Sequence, residues 1–502
     1  MRGAAAVQLH FVPGRSRPWL RRAALGAAAL AVAGLAALPL CAQGPPSPAQ
    51  PAYAPAPAAS VYQPPASSAQ FNGGVARGRV QPGVMALSLN AAIRMGLRNN
   101  LAVLLSSTAS EQARAQRWRA LSGLLPKVQA SVGDEETKEN LAAFGFSFPG
   151  FPQIIGPFRV FDARGYLDVP VLNISGIQDL RSSDASQAAA VHTYQQMRNL
   201  VVMAVADQYL LASADGSRVT AAQAQLRTAV QSLAQAEDMY HAGTVSALDV
   251  VRAKVQRDRE RQNLIVRRDD WAKQKLALAR AIGLPSGQAY RLAQPIPYTP
   301  APSMTVNHAL AEALRMRPDY MAARESVRAA QLAVAAARDQ RLPSVDFSGN
   351  WGTIGNRINS NHPTFTLAGQ INLPIFSGGA IHAAEIAAHA RLRQAQDQAS
   401  DLRAAIGQQV RSALLDVHAA RQQVGVATQA RRLARQELTL ARDRFRAGVG
   451  DNLEEVEAEQ EVAVAEENYI GSLYSFNAAK IELAQALGVA QASYRSFLEG
   501  AK

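Results

Sequence analysis

The sequence predicts a mixed α and β fold made of two tandem repeats, each with a short helix, a β-hairpin and a long α-helical hairpin. Three observations predict it: a helix–turn–helix signal that occurs twice, strand patterns that follow a helix ending at proline, and apolar positions that recur every three or four residues. The turn signals are YHAGTVSALDVVRA, beginning at Tyr240, and FRAGVGDNLEEVEAEQEV, beginning at Phe445. In both, a glycine suited to a left-handed helix end precedes a new helix with an acidic cap. The two signals share one register, so the sequence contains an internal duplication.

The composition favours helices over a bulky globular core. Aromatic residues make up only 6% of the 502 residues, which is typical of long, closely packed helices. The formal net charge of +13 would fit a nucleic-acid partner, but five of the arginines stand in the first 22 residues. We therefore predict no nucleic-acid partner.

Residues 1–42 have the layout of a secretory signal peptide. Arginines are followed by the apolar run Ala23–Leu40 and then by a small residue, Ala42. Cleavage after Ala42 would remove Cys41, the single cysteine, and leave an exported chain without disulfides. The alternative is a lipid on Cys41, although Leu40 is larger than the residue that normally precedes a lipidated cysteine.

The rest of the chain divides into a linker, two repeats and a tail. We predict a proline-rich disordered linker at 43–83, repeats at 84–291 and 303–492, and a C-terminal tail at 493–502. The repeats open with SLNAAIRMGLRNN, from Ser88, and TVNHALAEALRMR, from Thr305. The helix that follows ends at Pro126 or Pro343 in the two repeats, because proline cannot continue it, and an extended segment follows.

The extended segments alternate with a period of two. In the second repeat the apolar residues Val345, Phe347 and Trp351 alternate with Asp346, Ser348 and Asn350, and the returning strand alternates apolar Phe365, Leu367, Ile371 and Leu373 with Thr366, Gln370 and Asn372. A soluble sandwich alternates in the same way. However, strands of about 10 residues with one apolar and one charged face are also what an outer-membrane barrel requires. Four strands cannot close a barrel alone, so several copies would have to assemble.

A very long helix follows the second strand of each repeat. From Ala380 to Phe445 apolar residues recur in steps of three and four, which indicates a coiled-coil-like helix. At ~1.5 Å per residue it would reach roughly 100 Å. Many of its seam positions are alanine, which favours a thin-walled helical tube.

Taken together, these motifs resemble the TolC-like outer-membrane efflux proteins from residue 87 to about residue 490. The matching motifs are the two openers, LLPKV and RLPSV before a strand, VPVLNISG and LPIFSGG before a long helix, and the two tips. The resemblance implies a homotrimer with a twelve-stranded β-barrel continued by a long α-helical barrel. It also implies outer-membrane lipid around the barrel in a Gram-negative-type cell, and a periplasmic adaptor and an inner-membrane transporter as partners. We therefore expect a gated passive export path for drugs, ions or proteins.

The resemblance also indicates where such a channel narrows. The family's constriction uses acidic residues just past the second tip glycine, and Glu454 and Glu457 hold those positions. In three copies they would form stacked carboxylate rings that attract cations. Asp249 aligns with an acidic residue that helps hold the family's tunnel shut, while Gly450 replaces the arginine that often completes the gate. Helix capping and the helix dipole are the structural alternative for the three carboxylates.

Other residues of the tips are assigned by charge and by the same resemblance. The arginines Arg442, Arg444 and Arg446 would neutralise Glu455, Glu459 and Glu461, which predicts a solvated, salt-bridged hairpin. Candidate contacts to the adaptor, with plain turn chemistry as the alternative, are Gly243, Thr244, Val245, Gly448, Val449 and Gly450.

Sequence signals of catalysis are missing. The chain has no HExxH, no GxxxxGK[ST] and no nucleophile elbow, so we predict neither an enzyme nor a cofactor. His382 and His389 share a helical face, but two ligands without a third make a weak metal site. The main alternative to a duct is a periplasmic helical-hairpin adaptor or scaffold without channel activity, which would lack the paired strands.

Overall fold

The structure, a computed structural model, describes residue 71 and residues 73–145, 150, 152–293, 298–447, 449 and 452–498. The predicted signal peptide at 1–42, most of the predicted linker at 43–83, the last residues of the predicted tail, and Gly448 and Gly450 lie outside the described residues.

Each repeat contains two helices, a β-hairpin and a long helical hairpin. The first comprises β1 (Met85–Leu87), α1 (Leu89–Asn99), α2 (Leu101–Ser122), β2 (Lys127–Asn140), β3 (Ile154–Leu172), α3 (Ile174–His241) and α4 (Ala247–Ala281), followed by β4 (Tyr290–Leu292). The second comprises α5 (Val306–Met316), α6 (Pro318–Asp339), β5 (Ser344–Gly355), β6 (Asn361–Asn372), α7 (Ala380–Arg446) and α8 (Asn452–Ala486), followed by α9 (Ala490–Leu498). This order confirms the predicted pair of repeats.

The longer strands form one antiparallel sheet in the order β2-β3-β5-β6. Trp351 lies opposite Phe365 on one face, and Asp346 lies opposite Gln370 on the other. The apolar face is open, with Trp351 72% and Phe365 69% exposed. The register therefore confirms the predicted alternation. Within the described residues, β2 and β6 each have a single neighbour and form the edges of the sheet.

The long helices form a wall that continues from the sheet. In the half near the sheet, α3 packs between α2 and α6, and α6 packs on α7; towards the tips the order becomes α4-α3-α8-α7. The helices α3 and α7, with 68 and 67 residues, run through both halves and span roughly 100 Å. The free edges of the wall are thus α7 on one side and α2 and α4 on the other. No helix among the described residues holds a segment both long and apolar enough to span a membrane.

The main hydrophobic core lies at mid-length, where α1, α3, α8 and α9 meet. Fully buried side chains there include Ile93, Leu210 and Phe476. The helices α1 and α3 approach closely because Gly96 has no side chain: a Cβ at Gly96 would lie 2.8 Å from Cγ2 of Val205.

The residues that precede β1 pack against this core. Phe71 is 2% exposed, and Asn100 Nδ2 donates to the carbonyl oxygens of Phe71 at 2.6 Å and Ala281 at 3.1 Å. Leu101 N donates to the carbonyl oxygen of Gly73 at 3.0 Å. The sequence predicts disorder throughout 43–83. The described part of that segment differs from the prediction because the junction of α1 and α2 provides partners for its backbone.

Gly283 should be costly to replace near this junction. Its φ is +67°, and a Cβ there would lie 2.6 Å from both Asn99 Cβ and the carbonyl oxygen of Val75. We expect Gly283→Ala to lower the free energy of unfolding by roughly 2–4 kcal/mol, from left-handed strain together with overpacking. Gly243→Ala is the matched control, since its φ is +74° but nothing lies within 4 Å. A thermal midpoint for Gly283→Ala no lower than that of the control would contradict the close approach.

Candidate functional site at the hairpin tips

The first tip, between α3 and α4, is a glycine turn closed by a capped helix. Gly243 has a φ of +74°, and Thr244 N donates to the carbonyl oxygen of Met239 at 2.9 Å. Asp249 Oδ2 accepts from Ser246 N at 3.0 Å and from Ser246 Oγ at 2.7 Å. The Asp249 carboxylate therefore caps α4, as the helix-capping alternative predicts. A further role of Asp249 in a gate stays a prediction.

The second tip, between α7 and α8, repeats the first in its described part. Val449 N donates to the carbonyl oxygen of Arg444 at 3.1 Å, which is the same bond in the same register as Thr244 to Met239. Val449 and Thr244 are exposed, and Val245 is half-buried. The predicted contacts Gly448 and Gly450 lie outside the described residues, and adaptor binding at the tips stays a prediction.

The predicted constriction residues lie on the exposed side of α8. Glu454 and Glu457 are both exposed in the first two turns, where the helix dipole favours negative charge. Arg444 Nε lies 3.2 Å from Glu454 Oε2. In the described part of the chain, no cation lies within ion-pair distance of Glu457. Both carboxylates are thus exposed in the single chain, and their role in a constriction stays a prediction.

A buried polar cluster lies beside the exposed pair. Glu455 is 1% and Glu459 7% exposed. Ser232 Oγ, on α3, lies 2.9 Å from Glu455 Oε1 and 2.8 Å from Glu459 Oε1, and it can donate its single proton to one of them at a time. Arg442, on α7, donates through Nε to Glu455 at 3.1 Å and through Nη2 to Glu459 at 3.2 Å. We call Ser232, Arg442, Glu455 and Glu459 the tip cluster.

The sequence predicts a solvated hairpin here, which is wrong for the tip cluster, and it does not identify the cluster as a site. The pairing of Arg442 with Glu455 and Glu459 agrees with the sequence analysis, but these carboxylates are buried between three helices and are not solvated. The available signal was the spacing of four between them, which puts both on one helical face. Which face of α8 becomes buried depends on its packing against α3, and α3 belongs to the other repeat.

The tip cluster carries more negative than positive charge. Two carboxylates face one guanidinium, and among the described residues no donor reaches Glu455 Oε2. Burial raises the pKa of Glu459, and the nearby charge of Glu455 raises it further, while Ser232 and Arg442 oppose the shift. The cluster therefore joins α3 to α7 and α8, but one of its negative charges has no counterion. Because an unpaired buried charge is costly, this contact is a candidate for the place where the helices separate.

The raised pKa of Glu459 predicts a pH dependence of tip packing. A carboxyl whose pKa is raised by folding stabilises the packed state below its ordinary pKa, and this contribution is lost as the pH rises through the folded pKa. We expect hydrogen exchange of residues 225–236, corrected for intrinsic rates, to show less protection at pH 8 than at pH 5. Glu459→Gln should abolish most of the difference, whereas an unchanged difference would show that another group titrates.

The described residues of the tips hold no cluster suited to a metal ion. No group of three or more His, Cys, Asp or Glu side chains in the described residues could hold a metal ion. His382 and His389 are exposed near the start of α7. What the tips offer chemically is paired carboxylates, guanidinium groups and a helix contact that can open.

Comparison with known proteins decides the family. The family model described as outer membrane efflux protein matches residues 92–284 and 309–489, which covers both repeats. The chain belongs to the outer membrane efflux protein family. This membership confirms the resemblance and agrees with the predictions of a non-enzymatic protein and of an outer-membrane location.

Curated relatives share about a quarter of their residues with this efflux protein. The probable efflux pump outer membrane protein TtgC of Pseudomonas putida is 27% identical over 302 residues, 57% of this chain and 60% of its own length. The outer membrane protein OprJ of Pseudomonas aeruginosa is 25% identical over 422 residues, 80% of this chain and 84% of its own.

A solved structure shares the fold. The CmeC outer membrane channel of Campylobacter jejuni superposes with a TM-score of 0.70 at 20% identity, over 80% of this chain and 86% of that one. The similarity confirms the predicted fold class for the single chain.

Proposed function

We propose that this efflux protein is the outer-membrane channel of a tripartite efflux pump and gives its cargo a gated passive path across periplasm and outer membrane. The observation that carries the proposal is the pair of free edges. The sheet ends at β2 and β6, the helical wall ends at α2 and α4 on one side and at α7 on the other, and β2 follows α2 while β6 leads into α7. Sheet and wall can therefore close together when copies join side by side.

The uncovered faces of α7 and α4 support closure by further copies. An exposed stripe in steps of three and four lies on the side of α7 away from α8: Leu415, Ala419, Gln422, Val426, Gln429, Leu433, Gln436 and Leu440. A matching exposed stripe on α4 is formed by Val251, Val255, Asp258, Gln262, Ile265, Asp269, Ala272 and Leu276. Counted from the tips, Leu440 stands level with Val251, Val426 with Ile265, and Leu415 with Leu276. Two copies can thus pair α7 and α4 as an antiparallel coiled coil.

The proposed number of copies, three, is the one that the family resemblance implies, and the strands are compatible with it. Each chain contributes four strands with unpaired edges, and the smallest closed single-chain barrels have about eight strands. Three copies would give twelve strands and a homotrimer whose apolar face meets outer-membrane lipid. Several relatives are named as pump components, among them the toluene efflux pump outer membrane protein TtgF. An adaptor and an inner-membrane transporter are accordingly proposed as partners, with drugs, ions or proteins as cargo.

Liposome swelling tests the duct against the scaffold alternative. Purified protein is reconstituted in liposomes, which are then placed in an iso-osmotic solution of a small neutral sugar such as arabinose. A duct admits the sugar, and the liposomes swell and scatter less light. Folded oligomer that leaves swelling at the level of empty liposomes, even with the tips loosened by Arg442→Ala, would favour the periplasmic scaffold.

The proposed constriction at Glu454 and Glu457 predicts cation selectivity. Because three copies would bring six carboxylates into two stacked rings, Glu454→Ala/Glu457→Ala should move the reversal potential in a salt gradient towards zero. Glu454→Asp/Glu457→Asp keeps the charge and should keep most of the selectivity. A reversal potential that is the same in the parent and in the alanine variant would remove these residues from the constriction and would leave the duct standing.

A further inference from the structure

Positive charge is concentrated on one side of α7. Between residue 417 and its end at Arg446, α7 carries two acidic residues, Glu437 and Asp443, and the arginines Arg421, Arg431, Arg432, Arg435, Arg442, Arg444 and Arg446. Arg421, Arg432, Arg435, Arg442 and Arg446 recur in steps that keep them on one helical face. The tip cluster occupies Arg442, while Arg435 pairs with Glu466 and Arg446 lies 4.0 Å from Asp443. In the described part of the chain, no carboxylate lies within ion-pair distance of Arg421 or Arg432.

A surface groove lies on this face. It has a volume of about 800 Å³ and is lined by Thr428, Arg431, Arg432, Arg435, Gln436 and Thr439, with Leu440 at its end. This volume lies within the range of about 300–1,000 Å³ that is usual for sites of small organic ligands. We call it the α7 groove.

The arginines of the α7 groove are incompletely neutralised. Glu466 Oε1, on α8, accepts from Arg431 Nε at 2.9 Å and also from Arg435 Nη2. Arg432 donates to the Gln429 amide oxygen at 3.3 Å, and in the described part of the chain no carboxylate lies within ion-pair distance of it. Two guanidinium groups thus share one carboxylate and the third has none, so several of their N–H donors remain available.

The α7 groove also offers surfaces that suit an apolar or planar body. The Arg431 guanidinium lies over the ring of Tyr469, 4.4 Å from its centroid, which fixes its plane. Leu440 is 65% exposed, and the methyl groups of Thr428 and Thr439 and the arginine stems add carbon surface. Guanidinium groups bind carboxylate, sulfonate and phosphate oxygens in pairs and stack on aromatic planes.

We propose that the α7 groove binds an organic anion in which a carboxylate, sulfonate or phosphate group adjoins a planar apolar body. The site is a property of one chain and goes beyond the proposed channel, because binding does not require that the protein conduct. In the proposed assembly, α4 of the next copy would stand beside Gln436 and Leu440 and wall one side of the groove. That helix is itself rich in arginine and lysine, so it adds to the attraction for an anion.

Binding of pyranine, a planar aromatic trisulfonate, tests the proposal. The full protein is titrated in a non-ionic detergent, and the fluorescence anisotropy of the dye is followed at low and high salt. We expect saturable binding that weakens with salt, and at least tenfold weaker binding to Arg432→Gln/Arg435→Gln. The single variant Arg432→Gln, which disturbs no ion pair, should lose part of the affinity, and a cationic dye such as methylene blue should not compete.

Controls separate the α7 groove from general positive charge. Arg391→Gln/Arg393→Gln removes the same charge from exposed sites near the start of α7 and should keep the parent's affinity within about threefold. Arg432→Lys/Arg435→Lys keeps the charge but loses paired donors and should bind with intermediate strength. Thermal midpoints verify that all variants are folded. A parent that does not bind, equal affinity in the groove variant, or an equal loss in the Arg391→Gln/Arg393→Gln variant would each overturn the proposal.

Discussion

Val426→Glu/Leu440→Glu is expected to yield folded single chains in place of an oligomer. Both side chains are exposed in the single chain, at 71% and 65%, and both belong to the α7 stripe that the proposed assembly covers with α4. A carboxylate buried there without a partner costs several kcal/mol. Asp258 and Asp269 on the facing stripe would add repulsion. We expect the dissociation constant of the assembly to rise at least about a hundredfold, measured by analytical ultracentrifugation in detergent.

Val464→Glu is the matched control for this loss of assembly. Val464 is 53% exposed but lies on α8, which has a helix on either side within the wall. The control should assemble like the parent. If the α7 variant also assembled like the parent, the uncovered stripes would not be where copies meet, and closure of the wall would need another explanation.

Arg442→Ala is expected to loosen the tips. The substitution leaves Glu455 and Glu459 buried with the Ser232 hydroxyl as their remaining described donor. Removing one partner of a buried ion pair costs about 3–5 kcal/mol, and we expect about 3 kcal/mol because Arg442 is 26% exposed. The opening free energy of α3 near Ser232, measured by hydrogen exchange, should fall by this amount, and the conducting fraction should rise.

A rescue variant and a control make this expectation specific. Adding Glu455→Gln and Glu459→Gln to Arg442→Ala removes the uncompensated charge and should restore most of the protection. Arg444→Ala breaks an exposed pair with Glu454 and should change protection by less than about 0.5 kcal/mol. Protection that is the same in Arg442→Ala and the parent would show that the tip cluster does not hold the helices together.

Local rules account for the parts of the fold that the sequence predicts well. The turn at Gly243 follows from glycine and capping chemistry within a few residues. The long helices follow from an apolar period kept over many turns, and the strands from alternation such as that around Trp351. Each of these signals is written in adjacent residues, so a single sequence carries it.

Features that depend on distant segments could not be predicted. The pairing of β3 with β5 and of α3 with α8 joins different repeats, and no period encodes it. Glu454 and Glu455 differ by one position, which on a helix is about 100° of rotation, and α3 decides that Glu455 is the buried one. The packing of Phe71 likewise depends on Asn100, which has a helix on either side.

Single-channel recording in a planar bilayer tests the central claim most directly. The parent oligomer and Arg442→Ala are each added to one side of the membrane in symmetrical salt. The account predicts discrete conductance steps in both, with a larger open fraction in Arg442→Ala because its tips are loosened. Oligomer that is folded and inserted but never conducts, in the parent and in Arg442→Ala alike, would contradict the account that this efflux protein is an export duct.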